Sequence, residues 1–244
     1  MKKDDLGNRM KGYYENRTRY LLPRRTYTII RVDGKAFHSY TKGMERPFDK
    51  DFIEVMDNTA IYLCENIQGS KLAFVQSDEI SIVLTDFDSL TTEAFFDGNV
   101  QKIASISAGM ASAIFNFSRL HKNPFLTDIA VFDGRAFTIP CKTEVINYFI
   151  WRQMDTVRNS IQMVAQSLYS HKELLGQNTS KMQELIFQKG INWNDYPPSL
   201  KRGRLIIREA YQKEDVTRHR WISTDPNEFT KDNSQLNNII PDYL

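Results

Sequence analysis

Residues 27–34 read YTIIRVDG. The run is rich in β-branched and aromatic residues and ends in an Asp-Gly pair, which is suited to a tight turn, so it predicts a strand that ends at this pair. Two further β-rich runs, 71–76 (KLAFVQ) and 80–85 (ISIVLT), are joined by the polar residues 77–79 (SDE). They predict a hairpin with three polar residues at its turn.

Helical periodicity connects these strands. Apolar residues recur every three or four positions over 52–67 and again over 103–117, which predicts two amphipathic helices. A strand at 129–132 (IAVF) follows the second helix and stops before Asp133-Gly134. The order strand, helix, strand, strand, helix, strand is that of the ferredoxin-like βαββαβ unit. We therefore predict an α+β fold with an antiparallel sheet and helices packed on it.

The second half of the chain predicts an α/β extension. Apolar spacing indicates a long helix from about residue 143 to residue 169. The remaining predicted elements are a short helix at 182–187, strands at 204–211 and 218–223, and a tail at 225–244 that lies loosely on the surface. We predict a catalytic core of residues 1–140, with an N-terminal helix, and an extension of residues 141–244 packed on the same continuous unit.

Composition is typical of a globular protein. The 244 residues are 41% hydrophobic and 25% charged, which excludes a disordered or collagen-like chain. Cys64 and Cys141 are too few and too far apart for a disulfide framework or a cysteine-zinc cluster. Residues 1–25 contain no apolar run of the export-signal type, and apolar runs elsewhere are only as long as a strand. We therefore expect no membrane span and a reducing, cytoplasmic location.

Charge is distributed unevenly along the chain. The formal net charge is +2, but residues 1–25 carry +5 (8 basic, 3 acidic) and residues 26–110 carry −6 (7 basic, 13 acidic). An acidic stretch flanked by basic ones suits an enzyme that holds metal ions at carboxylates and a polyanion on surrounding cations. Solvated helix faces would give the same counts, so both interpretations stay open.

Two carboxylates are candidates for metal binding. In the βαββαβ order we expect the first strand to lie beside the first strand of the hairpin, which brings Asp33 and Asp78 to one edge of the sheet. Oxygen ligands suit Mg²⁺, which completes its shell with water and substrate phosphates, and paired metal ions promote phosphoryl transfer. The alternative is structural, because Asp-Gly and Ser-Asp-Glu are also ordinary turn sequences.

Phosphate-binding candidates follow the first strand. Small residues at 34–38 (GKAFH) leave backbone N–H groups available to phosphate oxygens. The alternative makes Phe37 a core residue and His38 a turn residue. Arg46 and Asp49 flank Pro47 in a polar loop, where a cation would meet a phosphate, although Asp49 is also placed to cap the following helix.

Three further features are candidate contacts, and the third, a cluster of cations, is compatible with contact to an RNA backbone. Arg152, Asp155 and Asn159 lie on one side of the long helix, and Arg135 follows the last strand of the core. The window 200–220 contains seven cations against three carboxylates, with Tyr211 and Trp221 nearby. The cations are Lys201, Arg202, Arg204, Arg208, Lys213, Arg218 and Arg220. A surface ion pair and a solvated face are the structural alternatives.

Other catalytic patterns are missing from the sequence. His121, His171 and His219 have no partners at metal-ligand spacing. We find no Walker loop, GxSxG elbow or Rossmann fingerprint. Cys64 falls on the apolar side of its helix, which predicts a core position.

Four ordered motifs carry a family resemblance: RVDGKAFH at 31–38, QSDE at 76–79, FDGR at 132–135 and WRQMD at 151–155. Together they closely resemble the tRNA(His) guanylyltransferase superfamily, in order and spacing, over residues 5–205. The resemblance implies a polymerase-like palm, an enzyme that adds nucleotides to the 5′ end of tRNA in the 3′-to-5′ direction, and a homotetramer. A diguanylate-cyclase-like palm is more distant, because its hairpin is expected to carry a Gly-Gly-Asp/Glu-Glu-Phe sequence.

The resemblance also implies roles for individual residues. Asp33, the Gly34 carbonyl and Asp78 would bind two Mg²⁺ ions, and Glu79 would join Asp33 and Asp78 in the catalytic set. ATP or GTP would activate the tRNA, and NTPs would be the substrates that are added. The implied nucleotide-binding residues are Lys35, Ala36, Phe37, His38, Arg46, Asp49, Ser77 and Arg135. The predicted tRNA-binding residues are Arg152, Asn159, Lys201, Arg202 and Arg204.

One segment departs from the pattern of guanylyltransferases proper. Their WRQxD motif is followed by His-Ile-Asn-Asn-Leu-Tyr-Asn, whereas residues 157–163 read VRNSIQM and keep only Asn159. The Thg-one-like branch, which favours template-dependent repair of 5′-truncated tRNAs, departs in the same way. We therefore predict a template-dependent 3′-to-5′ nucleotidyltransferase. The alternatives are a guanylyltransferase that adds G to tRNA(His) and a catalytically silent RNA-binding module.

Overall fold

The computed structural model describes residues 5–243. Residues 1–4 and 244, which belong to the two predicted units, lie outside the described residues. The strands are β1 (Tyr27–Gly34), β2 (Ser70–Gln76), β3 (Glu79–Leu84), β4 (Phe132–Ile139), β5 (Arg204–Lys213) and β6 (Val216–Thr224). They form one antiparallel sheet in the order β4-β1-β3-β2-β5-β6. Because β5 pairs with β2, the sheet continues across the boundary at 140/141 between the two predicted units.

Helices cover both faces of this sheet. The α-helices of the described residues are α1 (Asp5–Tyr13), α2 (Phe37–Tyr40), α3 (Lys50–Asn66), α4 (Val100–Lys122), α5 (Lys142–Leu168), α6 (His171–Leu174), α7 (Thr179–Gln188), α8 (Pro198–Arg202) and α9 (Ser234–Ile239). Short 3₁₀ turns lie at Glu15–Thr18, Phe95–Gly98 and Trp193–Asp195. The predicted α+β class and the βαββαβ order of β1, α3, β2, β3, α4 and β4 are confirmed.

The neighbour of β1 differs from the prediction. We expect β1 beside the first strand of the hairpin, but it pairs with the second strand, β3, and on its other side with β4. The physical reason is that the crossover through α3 places β2 one strand away from β1. The tight turn at 77–78 then returns β3 into the gap, where both of its edges form antiparallel hydrogen bonds.

Side chains alternate between two cores along each strand. Ile30 and Val32 of β1 pack in the core that contains α3 and α4. Ile29 faces the other side and packs in the core that contains Phe149 of α5 and Phe74 of β2. Cys64 is buried on α3, as its apolar position predicts.

Strand β4 starts later than predicted and includes the Asp-Gly pair. The sequence predicts a strand at 129–132 that stops before Asp133, whereas β4 begins at Phe132 and continues to Ile139. At Gly134 a Cβ atom would lie 2.4 Å from the carbonyl oxygen of Ala104 on α4. Glycine at this position therefore allows α4 to approach β4 closely, and the Asp-Gly pair is not a turn.

The C-terminal segment is packed, which corrects the prediction of a loose tail. Phe229, Leu236 and Ile240 are buried in the α5-side core. The Tyr27 hydroxyl donates a hydrogen bond of 2.8 Å to the carbonyl of Pro241, and Gln153 of α5 bonds to the backbone of residues 227 and 229. A few apolar residues in a polar segment are enough to anchor it, because they fill space that the sheet and α5 leave open. Within residues 5–243, no helix combines the length and apolar character needed to cross a membrane.

Two glycine substitutions test the contact between α4 and β4. We expect Gly134→Ala to lower the free energy of unfolding by about 1–3 kcal/mol, because the added methyl group overpacks against the backbone of α4. Gly109→Ala, in the interior of α4 with open space around its Cβ, should raise it by about 0.5–1 kcal/mol. Urea unfolding of both variants measures the two effects, and the same sign for both would contradict the packing described.

Candidate active site

The end of β1 brings carboxylates to one edge of the sheet. In the strand register Asp33 lies opposite Glu79 of β3 and opposite Asp133 of β4. The Gly34 amide donates a hydrogen bond of 3.1 Å to the carbonyl of Asp78, in the turn between β2 and β3. The hairpin turn is thereby tied to the end of β1, and Asp33 and Asp78 lie together.

This edge opens on a cleft of about 550 Å³. The predicted site residues that line it are Asp33, Gly34, Ala36, Phe37, His38, Arg46, Asp49, Ser77 and Asp78. Met163 and Gln166 of α5 also line the cleft, and the sequence analysis misses both. The sequence indicates these two residues only through their helical spacing, because they follow Asn159 by four and seven positions and so share its side of α5. A cleft of this volume is within the range of small-molecule sites.

Close packing shapes the turn after β1. A Cβ atom at Gly34 would lie 2.3 Å from the ring of Phe37. That ring is buried among Phe52, Phe115 and Phe132, with centroids 5.1–6.1 Å apart. The side chain of Phe37 is thus a core residue, and only its backbone is left as a contact for a nucleotide. The alternative that makes Phe37 a core residue therefore holds for its side chain, and a contact of this position with the triphosphate stays a prediction.

The neighbours of Phe37 differ in their access to the cleft. Ala36 has the left-handed φ of 55° and begins α2. The amide of Lys35 donates to the carbonyl of Val131 at 2.8 Å, so it is not free for a phosphate, although the Lys35 side chain is exposed. The exposed His38 ring lies 3.0 Å from the Ser39 hydroxyl. His38 therefore remains a candidate ligand, whereas Lys35 can act only through its ammonium group.

The loop before α3 combines a cap and a free cation. Asp49 accepts hydrogen bonds from the amides of Phe52 (2.8 Å) and Glu45 (3.0 Å), so the capping alternative for Asp49 is confirmed. Arg46 is exposed and has no ion pair within residues 5–243. The cap fixes the loop that presents Arg46 to the cleft, which suits contact with a phosphate.

The two carboxylates repel each other in a partly buried setting. The pKa of Asp78 is raised to about 6, chiefly by burial and also by the charges of Asp33 and Glu79, while hydrogen bonds in the turn lower it. The pKa of Asp33 is also raised, first by burial and then by Glu79 and Asp133. A divalent cation relieves such repulsion, so the residues fit Mg²⁺. No group of three or more His, Cys, Asp or Glu side chains in residues 5–243 is arranged for metal binding, so backbone carbonyls, water and phosphates must complete the shell.

Glu79 has a different function from Asp33 and Asp78. Its two carboxylate oxygens accept hydrogen bonds from Arg152 of α5 at 2.9 and 2.6 Å, and both side chains are more than 90% buried. Ser81 also donates to Glu79 at 3.2 Å, and Arg31 lies 4.0 Å away. The carboxylate is therefore held on its interior side by Arg152, which suits support of the metal site, and its place in the catalytic set stays a prediction. Glu79 anchors α5 to the strand that begins beside Asp78.

The structure also corrects three of the five predicted tRNA contacts. Arg152, Lys201 and Arg204 are each at least 93% buried. Arg204 pairs with Asp57 of α3, and Lys201 lies over the ring of Trp193 and donates to a backbone carbonyl. Buried and internally paired cations are not available to an RNA backbone, so these residues hold the fold together.

The other predicted contacts are more accessible. Arg202 pairs with Glu228 at 2.9 Å and is partly exposed. Asn159 is exposed and lines a narrow apolar slot that shares Asp49 and Ser77 with the cleft.

Arg135, a predicted nucleotide-binding residue, lies inside β4 rather than after a strand. It donates a hydrogen bond of 3.2 Å to Asp133, and it does not line the cleft.

The raised pKa of Asp78 predicts a pH-dependent stability. In metal-free protein the Asp78 carboxyl binds its proton more tightly in the folded state than in the unfolded state. Protonation of Asp78 therefore stabilises the fold fully below about pH 4, and this stabilisation is lost as the pH rises through about 6. Asp78→Asn, which mimics the protonated form, should therefore be more stable than wild type at pH 8 by up to about 3 kcal/mol, at about 1.4 kcal/mol per pKa unit. Urea unfolding in EDTA between pH 4 and 8 measures the difference. Added Mg²⁺ should stabilise wild type and leave Asp78→Asn unchanged, which reduces the difference between their free energies of unfolding. Equal stabilities of the two proteins at pH 8 in EDTA would contradict the electrostatics described.

The buried pair of Arg152 and Glu79 predicts non-additive stabilities. Arg152→Met should lower the free energy of unfolding by about 3–5 kcal/mol, because it leaves the Glu79 carboxylate buried without a partner. The double variant Arg152→Met/Glu79→Leu should recover most of this loss. Lys181→Met, which breaks the exposed pair with Glu184, should cost less than about 1 kcal/mol and is the control. A double variant as unstable as the sum of the single ones would show that the two side chains act independently.

Comparisons with known proteins agree with this geometry. The tRNAHis guanylyltransferase (Thg1) family profile matches residues 7–140. A bacterial tRNA(His) guanylyltransferase (Thg1)-like protein, solved in complex with ATP, superposes with a TM-score of 0.88 at 46% identity, over 97% of this chain and 99% of that one. A bacterial protein of the same description in complex with GTP gives a TM-score of 0.82 at 45% identity, over the same shares of the two chains.

A curated relative extends the comparison to a eukaryote. The tRNA(His) guanylyltransferase of Debaryomyces hansenii is 31% identical over 210 residues, which cover 79% of this chain and 77% of the relative. These similarities point to the same family as the antiparallel sheet and the palm-like arrangement of carboxylates at its edge. The chain belongs to the tRNAHis guanylyltransferase (Thg1) family of nucleotidyltransferases.

Proposed function

We propose that this protein is a template-dependent 3′-to-5′ nucleotidyltransferase that activates the 5′-monophosphate of a tRNA and adds NTPs to that end. The observation that carries the proposal is the pairing of Asp33 and Asp78 at the mouth of a cleft of about 550 Å³. A binding module has no need for two carboxylates whose pKa values are raised by burial and mutual repulsion. The silent RNA-binding alternative is therefore disfavoured.

The reaction needs two phosphoryl transfers. In the first, an oxygen of the RNA 5′-monophosphate attacks the α-phosphorus of ATP or GTP and pyrophosphate leaves. In the second, the 3′-hydroxyl of the incoming NTP attacks the activated 5′ phosphorus and the nucleoside monophosphate leaves. An RNA that already has a 5′-triphosphate skips the first transfer. Since both transfers move negative charge between phosphate oxygens, positioning and charge neutralisation account for most of the catalysis.

Different residues of the cleft would bind the metal ions and the triphosphate. Asp33, Asp78 and the Gly34 carbonyl would hold Mg²⁺, which neutralises charge on the attacking and leaving oxygens. Arg46 supplies a cation from the capped loop, and His38 and Ser77 lie at the cleft wall for contact with the triphosphate. These contacts orient the nucleotide along the edge of the sheet.

The nucleotide and the template of the proposed reaction rest on different arguments. The bacterial Thg1-like proteins were solved with ATP and with GTP, so the same fold accommodates either base. If the opposing strand of the acceptor stem selects the incoming NTP by base pairing, the protein needs no base-reading code of its own.

Addition of G to tRNA(His) is the second candidate function. The names of the curated relatives favour it, because the fungal proteins are called tRNA(His) guanylyltransferases. The segment 157–163 favours repair, because it keeps only Asn159 of the motif that guanylyltransferases proper have there. The similarity to the bacterial Thg1-like proteins, at 46% identity, supports the family and does not distinguish the two candidates. The homotetramer stays a prediction.

A primer-extension assay distinguishes the candidates. We expect a 5′-³²P-monophosphorylated tRNA(His) that lacks its G at +1 to be extended, with ATP and Mg²⁺, by the NTP that pairs with the opposing base. Changing that opposing base should change the nucleotide added. Addition of G to full-length tRNA(His) alone, whatever base lies opposite, would establish the second candidate instead. No incorporation into either RNA would support the silent binding module.

Substitutions at the sheet edge test the catalytic assignment in the same assay. Asp33→Asn and Asp78→Asn should each abolish both transfers while tRNA binding persists, because each removes a metal ligand and no core volume. Asp133→Asn is the matched control, since this carboxylate lies beside Asp33 but does not line the cleft. Incorporation at the wild-type rate by either cleft variant would remove the two-metal assignment.

A further inference from the structure

Trp151 is an exposed aromatic residue of α5, next in sequence to Arg152, which binds Glu79. The side chain belongs to α5, yet 52% of the residue is accessible to solvent. Its ring lies 5.8 Å from that of Tyr148, which packs against Phe137 of β4 and shares a hydrogen bond of 2.8 Å with Ser81 of β3. Trp151 therefore lies on the side of α5 that faces β1, β3 and β4.

A chain of contacts holds this ring in place. The guanidinium of Arg152 lies 4.5 Å from the centroid of the Trp151 ring, in a cation–π arrangement. The same guanidinium donates two hydrogen bonds to Glu79, the residue after Asp78. The position of the indole is thus coupled, through Arg152 and Glu79, to the hairpin turn that carries Asp78. An aromatic ring that is fixed before binding loses little conformational entropy when a ligand stacks on it.

The end of the sheet that carries Asp33 also carries exposed cations, which suits a polyanion. Arg135 of β4 and Lys35 after β1 are both exposed at the same end of the sheet, and Lys35 has no ion pair within residues 5–243. Exposed aromatic side chains next to cations are the usual platforms for nucleobases, because every base has a π-face and the cations contact its phosphate.

We propose that Trp151 is a stacking platform for a nucleobase at the acceptor end of the RNA substrate. The inference rests on the proposed function, because it requires an RNA 5′ end at Asp33 and Asp78. Stacking on the indole fixes the end of the acceptor stem while Arg135 and Lys35 contact its backbone. Since the contact is made with a π-face, it does not depend on which base is present. The platform thus supports a templated reaction, in which every terminal base must be accepted.

Binding measurements without turnover test the platform. We would measure the affinity of 5′-monophosphorylated tRNA, and separately that of ATP, for wild type, Trp151→Ala, Trp151→Phe and Phe187→Ala. Phe187 is the matched control, because it is 69% exposed on α7, in a different surface groove. Trp151→Ala should weaken tRNA binding about 10-fold, the effect of losing one base–aromatic stack, and leave ATP binding unchanged. Trp151→Phe should retain most of the affinity, and Phe187→Ala all of it.

Two further measurements distinguish base stacking from electrostatic contacts and from recognition of a particular base. The salt dependence of tRNA binding should have the same slope in Trp151→Ala as in wild type, because no cation is removed. The loss should also be equal for tRNAs that end in a purine or in a pyrimidine. A loss confined to one base would show hydrogen-bond recognition instead and would overturn the stacking assignment.

Other outcomes contradict the proposal directly. An unchanged tRNA affinity in Trp151→Ala, or an equal loss in Phe187→Ala, would remove the platform. A loss of ATP binding would assign Trp151 to the nucleotide cleft, and a change in sedimentation without a change in tRNA affinity would assign it to a contact between copies of the chain. Because binding is measured without turnover, a wild type that binds tRNA through Trp151 but adds no nucleotide would overturn the proposed function and keep the platform.

Discussion

The antiparallel register of β1 between β3 and β4 is the constraint on which the candidate site depends. It sets Asp33 opposite Glu79 on one side and opposite Asp133 on the other. The hydrogen bond from the Gly34 amide to Asp78 then fixes the hairpin turn against the end of β1. A register shift of one residue would turn Asp33 toward the apolar core of α3 and α4, since side chains alternate along a strand. The position of the carboxylates is therefore specified by the burial of Ile30 and Val32 on the other face of β1.

Like charges gathered at one edge raise the free energy of the folded state unless other groups compensate them. Glu79 is compensated inside the protein by Arg152, which donates two hydrogen bonds to its carboxylate. Among residues 5–243, Asp33 and Asp78 have no such partner, and burial and repulsion raise their pKa values. Asp33, Asp78 and Glu79 are adjacent in space, and Asp78 and Glu79 are also adjacent in sequence. Because Arg152 binds only Glu79 of these three, Glu79 anchors α5, whereas Asp33 and Asp78 remain candidate metal ligands.

The same principle explains the cations of residues 201–204. In the sequence they form a basic cluster, and the cluster resembles a surface for RNA. In the fold, Arg204 pairs with Asp57, Arg202 pairs with Glu228, and Lys201 lies over Trp193. Each cation therefore joins β5 or its preceding helix to a different element. Charge density along the chain is a poor guide to surface charge when the partners of those charges lie far away in sequence.

Local signals were enough to predict the strands β1, β2 and β3, the helices α3, α4 and α5, the βαββαβ order, and the meeting of Asp33 with Asp78 at one edge. Each follows from side-chain periodicity, or from a turn between neighbouring elements. The Asp-Gly pair at 133–134 shows the limit of such signals, because a glycine that permits a close approach of α4 has the same sequence as a turn. The tail at 225–244 shows a second limit, since Phe229, Leu236 and Ile240 become core residues only against α5 and the sheet.

The sequence by itself therefore determined the fold class, the family resemblance and the carboxylates of the candidate site. Only the tertiary structure decided which strand lies beside β1, which cations are buried, that Glu79 is bound by Arg152, and that Trp151 remains exposed beside the site. The physical reason is that hydrogen-bond partners and burial depend on residues far apart in the chain, such as Glu79 and Arg152, 73 positions apart, and Asp57 and Arg204, 147 positions apart. A local sequence pattern does not reveal such pairings.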